Sequence, residues 1–265
     1  MKSKLIVCGA AGRMGKGIIG LAAEDGGFEI IGAVEKAGHP DVGKDAGLVA
    51  GISALKINIT DTYPAGADIM IDFSQPEGTD KTIEYCLEAD AALVLGTTGL
   101  DDTQVEKIKA ASEKIGVIYG TNMSVGMNVL FSLVGKVAAM LGEDYDIEIV
   151  EQHHRFKKDA PSGSALTLAQ NICSATGKNY SESLVHGRSG KDAGRQKGTI
   201  GMHAVRAGDI TGIHSVIFGA LGETLTLRHD AGSRETFVRG TLKAAKWLIG
   251  KKPGLYSMAD CLGIE

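Results

Sequence analysis

The sequence of 265 residues predicts an α/β fold, a doubly wound parallel sheet joined to a second α+β domain on a mixed or antiparallel sheet. Two patterns predict this. Through the first half, short apolar runs alternate with helical stretches, the signature of successive βα units with right-handed crossovers. From residue 198, three strand-like runs follow one another closely across glycine-bearing turns, which implies strand pairing without intervening helices. Composition agrees, since 37 glycines and 5% aromatics suit many tight turns and argue against an aromatic platform for nucleic acid.

Hydrophobic residues make up 43% and charged ones 23%, and the net charge of −4 gives no general attraction to nucleic acid or anionic membranes. Cys8, Cys86, Cys173 and Cys261 lie far apart with no CxxC pair, and read as buried, reduced thiols. No uninterrupted apolar run approaches about 18 residues, so no membrane span is expected. The apolar run after Met1-Lys2-Ser3-Lys4 is too short for a signal peptide, and a cytoplasmic location is expected.

Leu5-Ile6-Val7-Cys8 is the first strand, and it ends in Gly9-Ala10-Ala11-Gly12-Arg13-Met14-Gly15 before a helix that runs to about Ala23. This glycine spacing departs from GxGxxG but serves the same ends: a tight turn, backbone close to a pyrophosphate, and a helix packed near a strand. A P-loop is excluded, because Ala10 and Gly17 stand where it needs Gly and Ser or Thr. The second strand, Phe28-Glu29-Ile30-Ile31-Gly32-Ala33-Val34, ends in Glu35, where a carboxylate binds ribose hydroxyls in dinucleotide folds. Lys36 beside it can meet a 2′-phosphate, so the expected cofactors are NADH and NADPH. Further strands follow at 67–73, 91–95 and 116–119, with helices starting at Pro76 and near Asp101. Gly96-Thr97-Thr98 and Gly120-Thr121-Asn122-Met123 fall at strand ends, where they should line the nicotinamide side of this Rossmann-like sheet.

From Met127 to Leu141 the apolar positions form a helical stripe, and 146–152 alternates as a strand with Ile147, Ile149 and Glu151 on one face. His153 and His154 would point to opposite sides if the strand continued, so a joint contact requires it to end there. Residues 171–189 show little periodicity. Residues 233–249 form an amphipathic helix expected to return to the first domain. The expected domains are therefore 1–125 plus 234–265 for the dinucleotide and 126–233 for the substrate.

The richest chemistry lies in Glu151-Gln152-His153-His154-Arg155-Phe156-Lys157-Lys158-Asp159-Ala160-Pro161-Ser162-Gly163-Ser164-Ala165. Ser162 is a good N-cap, and the N–H groups of Gly163 and Ser164 would face an anion with the helix dipole behind them. Gly163 lets a carboxylate come close, Lys157 adds charge, and a histidine can exchange protons near neutral pH. Zinc is disfavoured, because no further His or Cys pair stands at ligand spacing. A different dehydrogenase or a dinucleotide sensor would leave either the Pro-Ser-Gly anchor or the proton-transfer residues without a role.

This segment, with Gly9-Ala10-Ala11-Gly12-Arg13-Met14-Gly15, Gly96-Thr97-Thr98-Gly99 and Val205-Arg206-Ala207-Gly208-Asp209-Ile210, resembles the 4-hydroxy-tetrahydrodipicolinate reductase family over nearly the whole chain. The resemblance implies NAD(P)H-dependent reduction of a cyclic dicarboxylate on the route to diaminopimelate and lysine, and a homotetramer formed through the second domain. It implies His153 as proton donor, Lys157 as second donor, and His154, Lys157, Ser162, Gly163 and Ser164 as substrate contacts. It implies cofactor contacts from Gly9, Ala10, Ala11, Gly12, Arg13, Met14, Glu35, Lys36, Gly96, Thr97, Thr98, Gly120, Thr121, Asn122 and Met123. Ser164 replaces the usual Thr and keeps the hydroxyl, Gln75 stands where some members carry Arg, and Gly120-Thr121 departs from the familiar Ala-Pro.

Overall fold

In the computed structural model, which describes residues 2–264, the apolar runs of the first half become parallel strands. The chain divides into two compact units, Met1–Val125 with Glu235–Gly263, and Gly126–Arg234. The first unit runs β1 (Ser3–Cys8), α1 (Arg13–Asp25), β2 (Phe28–Val34), α2 (Ala46–Ala50), β3 (Ile59–Thr60), β4 (Ile69–Asp72), α3 (Pro76–Ala89), β5 (Ala92–Leu95), α4 (Asp102–Ser112) and β6 (Gly116–Tyr119). Pro76 opens α3, where its missing N–H costs nothing, and Asp101 caps α4 in a reciprocal capping box with Gln104.

The second unit begins on α5 (Val125–Leu141), which leads through a 3-10 turn to β7 (Asp146–His153). There follow α6 (Gly163–Thr176), α7 (Tyr180–Ser183), β8 (Leu184–His186), β9 (Ile200–Arg206), β10 (Ile213–Ala220) and β11 (Glu223–Asp230). Its sheet is mixed, in the order β11-β10-β7-β9-β8, with β10 antiparallel to both neighbours and β9 parallel to both of its own. The weakly periodic stretch after residue 171 finishes α6 and then holds α7 and β8, elements too short to show a period.

The chain closes with α8 (Glu235–Leu248), β12 (Gly254–Tyr256) and α9 (Met258–Leu262) in the first unit. There the sheet is parallel throughout, in the order β12-β6-β5-β4-β1-β2-β3. Strand alternation sorts its core into two layers. Leu5, Val7, Ile69, Ile71 and Val94 pack with Val238, Leu242 and Ala245 of α8, while Ile6, Cys8, Met70, Leu93 and Leu95 pack with Ile83 and Ile108 of α3 and α4. All four cysteines are free and buried.

The strand order reverses between β1 and β4, and open α/β sheets bind ligands at the carboxyl ends flanking such a reversal. In the second unit, Met127, Leu130, Val134 and Ala138 of α5 pack with Ile147, Ile149, Leu168 and Phe218. With the turn after it, α5 spans Val125–Asp144, long and apolar enough to cross a membrane by length and composition alone, at a mean hydropathy of 1.6. One stripe of it, Met127, Leu130, Val134 and Ala138, packs in the core of this unit, and Lys136 interrupts the apolar run.

On the far side of β7 from Glu151, Glu148 gathers two guanidinium groups and an imidazole. It accepts from Arg188 at 2.8 and 2.9 Å, Arg195 at 2.9 Å and His203 at 2.6 Å, which fastens the loop between β8 and β9 to the sheet. Burial pushes Glu148 up, but these bonds outweigh it and hold the carboxyl at about 2.

Candidate active site

The turn after β1 is shaped by close backbone approach. Gly9 has φ +71°, and a Cβ there would lie 2.5 Å from the Phe73 carbonyl oxygen, so the chain leaving β1 nearly touches the chain leaving β4. Helix α1 starts from Gly12 with no side-chain cap, which leaves first-turn N–H groups for an anionic ligand. Glu35, at the tip of β2, reaches back to the same turn and accepts from the Ala11 N–H at 3.2 Å. Lys36 is exposed beside it, as are Arg13 and Thr98. A cradle that a Cβ would fill, an uncapped helix start and a carboxylate at the second strand tip fit a dinucleotide.

Two of the expected cofactor contacts turn inward. The Thr97 hydroxyl donates to Asp72 Oδ1 at 3.1 Å, and Thr97 is 4% exposed, so it braces the fully buried Asp72 at the end of β4. Met123 sinks its side chain into the core layer that contains α8. Gly96, Gly120, Thr121 and Asn122 stand at the ends of β5 and β6, where Asn122 Oδ1 accepts from the Ser124 N–H at 2.9 Å.

In the second unit, β7 ends at His153. Two-residue alternation puts Glu151 and His153 on one face, and Glu151 Oε2 lies 2.6 Å from His153 Nδ1. The strand is followed by a turn in which Lys157 N–H donates to the His154 carbonyl, and Lys157 Nζ pairs with Asp159 at 2.9 Å. The neighbouring strands complete the cluster. His153 is in register with Arg206 on β9, and Glu151 with His214 on β10. Arg206 clamps Glu151 at 2.7 and 2.8 Å, and the His153 and His214 rings meet edge to face at 5.2 Å.

Ser162 corrects an expected substrate contact. It caps α6 by accepting from the Ala165 N–H at 3.2 Å, its oxygen lies 2.9 Å from His214 Nε2, and the residue is 2% exposed. The hydroxyl is therefore spent on shaping the helix start. Gly163 beside it is exposed, with open space where a Cβ would sit, so the first turn of α6 is accessible to an anion.

Acid sensitivity follows from two buried groups, His214 and Glu151, and the half-buried Glu148. Burial first, and the neighbouring His153 ring second, push His214 down to about 4. Glu151 is raised by burial, but hydrogen bonds from His153 and Arg206 and their charges prevail and hold it at about 2. A histidine held below its ordinary value leaves the unfolded chain binding more protons, so stability falls as pH drops from about 6.5 to about 4. The depressed carboxyls of Glu148 and Glu151 act lower, their contribution being full above about 4.5 and lost as pH approaches about 2. Each shift corresponds to about 3.4 kcal/mol as an upper bound, which solvent screening lowers most for the half-buried Glu148. Thermal unfolding of His214→Asn should therefore change less than wild type between about pH 7 and pH 5, and equal slopes would remove His214 from this account.

Comparison with known proteins matches both halves of the chain to one family. Residues 3–123 match the family described as dihydrodipicolinate reductase, N-terminus, and residues 126–262 match its C-terminus. A relative from Geotalea daltonii named 4-hydroxy-tetrahydrodipicolinate reductase is 45% identical over 267 residues, spanning 99% of each chain. One of the same name from Geobacter sulfurreducens is 44% identical, spanning 99% of this chain and 100% of its own. The dipicolinate-bound dihydrodipicolinate reductase from Paenisporosarcina sp. TG-14 shares the fold, with a TM-score of 0.75 over 98% of this chain and 99% of that one at 22% identity.

Proposed function

The chain belongs to the dihydrodipicolinate reductase family, and from that premise we propose that it reduces 4-hydroxy-tetrahydrodipicolinate to tetrahydrodipicolinate with NADH or NADPH, on the route to diaminopimelate and lysine. The observation that carries this reading is one loop holding a carboxylate-braced histidine, a lysine and an accessible helix start. Those are the groups a reduction of an anchored cyclic dicarboxylate needs.

The net change removes the 4-hydroxyl as water and adds a hydride and a proton. The cofactor, when bound, supplies the hydride to ring C4. Lys157 and the first turn of α6, at Gly163 and Ser164, hold a substrate carboxylate, and His154 adds a contact. His153 gives the proton that completes the reduction, with Lys157 as second donor. Gly9 to Met14 would hold the dinucleotide pyrophosphate, Glu35 its adenosine ribose, and Gly96 to Thr98 with Gly120 to Asn122 would meet its nicotinamide end. On this reading the unit built from Met1–Val125 and Glu235–Gly263 serves the cofactor. The unit Gly126–Arg234 serves the substrate and the contacts of a homotetramer in the cytoplasm.

The test is NADH oxidation, followed by absorbance, with enzymatically generated substrate. Turnover with that substrate is expected, and turnover only with another acid would overturn the assignment. Run with both cofactors, the same assay reads Lys36. Lys36→Ala should lower kcat/KM for NADPH relative to NADH, because the cation meets the 2′-phosphate, whereas an unchanged ratio removes Lys36 from cofactor choice.

A further inference from the structure

Glu151 is 1% exposed, yet its carboxyl is held at about 2 and stays ionised. Each of its oxygens accepts two donors. Oε1 takes Arg206 Nη2 at 2.7 Å and the Ser162 N–H at 3.0 Å, while Oε2 takes Arg206 Nη1 at 2.8 Å and His153 Nδ1 at 2.6 Å. A carboxylate can only accept. The contact with His153 therefore requires a proton on Nδ1, whatever the charge of the ring. In the neutral ring Nε2 then carries the lone pair, and in the cation it carries the second proton. Every exchange is confined to Nε2.

Arg206 adds two features. Its charge cancels that of Glu151, so the imidazole does not sit against a bare anion. Its Nη2 also donates to the Asp159 carbonyl at 2.6 Å, and the Asp159 side chain pairs with Lys157. One guanidinium thus connects the brace of His153 to the loop that bears Lys157. Glu151 is too acidic to relay the proton itself, and Ser162 is no nucleophile, because among the described residues its base-like neighbour His214 has no carboxylate behind it and its Nδ1 has no partner.

We propose that Glu151 and Arg206 are a positioning pair for proton transfer: Glu151 fixes His153 as the Nδ1–H tautomer so that Nε2 alone exchanges the proton, and Arg206 ties that carboxylate to the Lys157 loop. The proposal rests on His153 being the proton donor. A pair that merely stitched β7 to β9 would leave the tautomer indifferent.

Histidine-selective 15N labelling of the wild-type protein reads the tautomer without substrate, and the neutral His153 ring is expected as Nδ1–H. A neutral Nε2–H ring would overturn the proposal. In Glu151→Gln the ring should shift toward Nε2–H and kcat should fall about 10–100-fold, with KM for NADH changed by no more than about twofold. Glu151→Asp keeps the carboxylate and should restore the Nδ1–H signature and most of kcat. An unchanged tautomer in Glu151→Gln, or no recovery in Glu151→Asp, would also overturn it. If Glu151→Gln does not fold, the wild-type tautomer decides. Wild-type turnover tests the reaction separately, so loss of that reading and loss of this one are distinguishable.

Discussion

His153→Ala is expected to lower kcat by about 10²–10⁴-fold while leaving NADH affinity unchanged. A positioned acid or base contributes about that much to a proton-transfer step. The residue is held on three sides: Glu151 fixes one ring nitrogen, the Ala207 N–H donates to its carbonyl at 2.9 Å, and the His214 ring packs against its edge. Removing the ring therefore deletes a pre-set group and not a mobile one that water readily replaces. The glycine turn and Glu35 lie in the other unit, so dinucleotide binding should survive. Lys157→Ala should also lower kcat by orders of magnitude and raise KM for the dicarboxylate, because a charge-assisted hydrogen bond worth about 1.5–3 kcal/mol is lost with the second proton donor. Steady-state kinetics with direct NADH titration reads both variants. Near-wild-type kcat in either one would remove that residue from its role.

The parts of this site legible in the sequence are those built from local chain geometry. The glycine turn, the acid at the second strand tip and the Ser162 cap each occupy a few consecutive residues, and turn and cap chemistry are local. His214 stands in a strand-like run and Arg206 in the Val205-to-Ile210 motif just beyond one, and neither position implies a role beside Glu151. What brings them to Glu151 and His153 is register across three strands, β9, β7 and β10, at sequence separations that no period encodes. One local signal was available: Glu151 and His153 share a strand face, so an acid two residues before a candidate proton donor is itself a candidate partner. Ser162, Thr97 and Met123 show the converse. Their positions in the chain suit ligand contact, but burial directs their side chains to a cap, a carboxylate and a core. Strand β12 has no signature in the sequence because three residues carry no alternation, and it is defined by its parallel pairing with β6.

Gly15→Ala carries the second large effect, and it separates two meanings of the glycine spacing. Gly15 is buried in the first turn of α1, and a Cβ there would collide with the Gly9 carbonyl oxygen and stand 2.7 Å from Ala10 Cα. Those atoms are backbone and cannot rotate away. Gly9 cannot yield either, since its own carbonyl accepts from the Gly12 N–H at 2.9 Å and its Cα faces the chain after β4. The added methyl must push α1 off the turn, and overpacking typically costs about 1–3 kcal/mol, with clashes against backbone at the upper end. The displaced helix start would no longer aim its N–H groups at a pyrophosphate, so the Kd for NADH should rise by about tenfold or more alongside a lower Tm. Gly163, whose Cβ position is open, makes the contrast: Gly163→Ala should leave Tm unchanged and act only on substrate KM. Wild-type Tm and NADH affinity in Gly15→Ala would mean that the turn can open without cost, and that close packing of α1 on β1 is not what the third glycine provides.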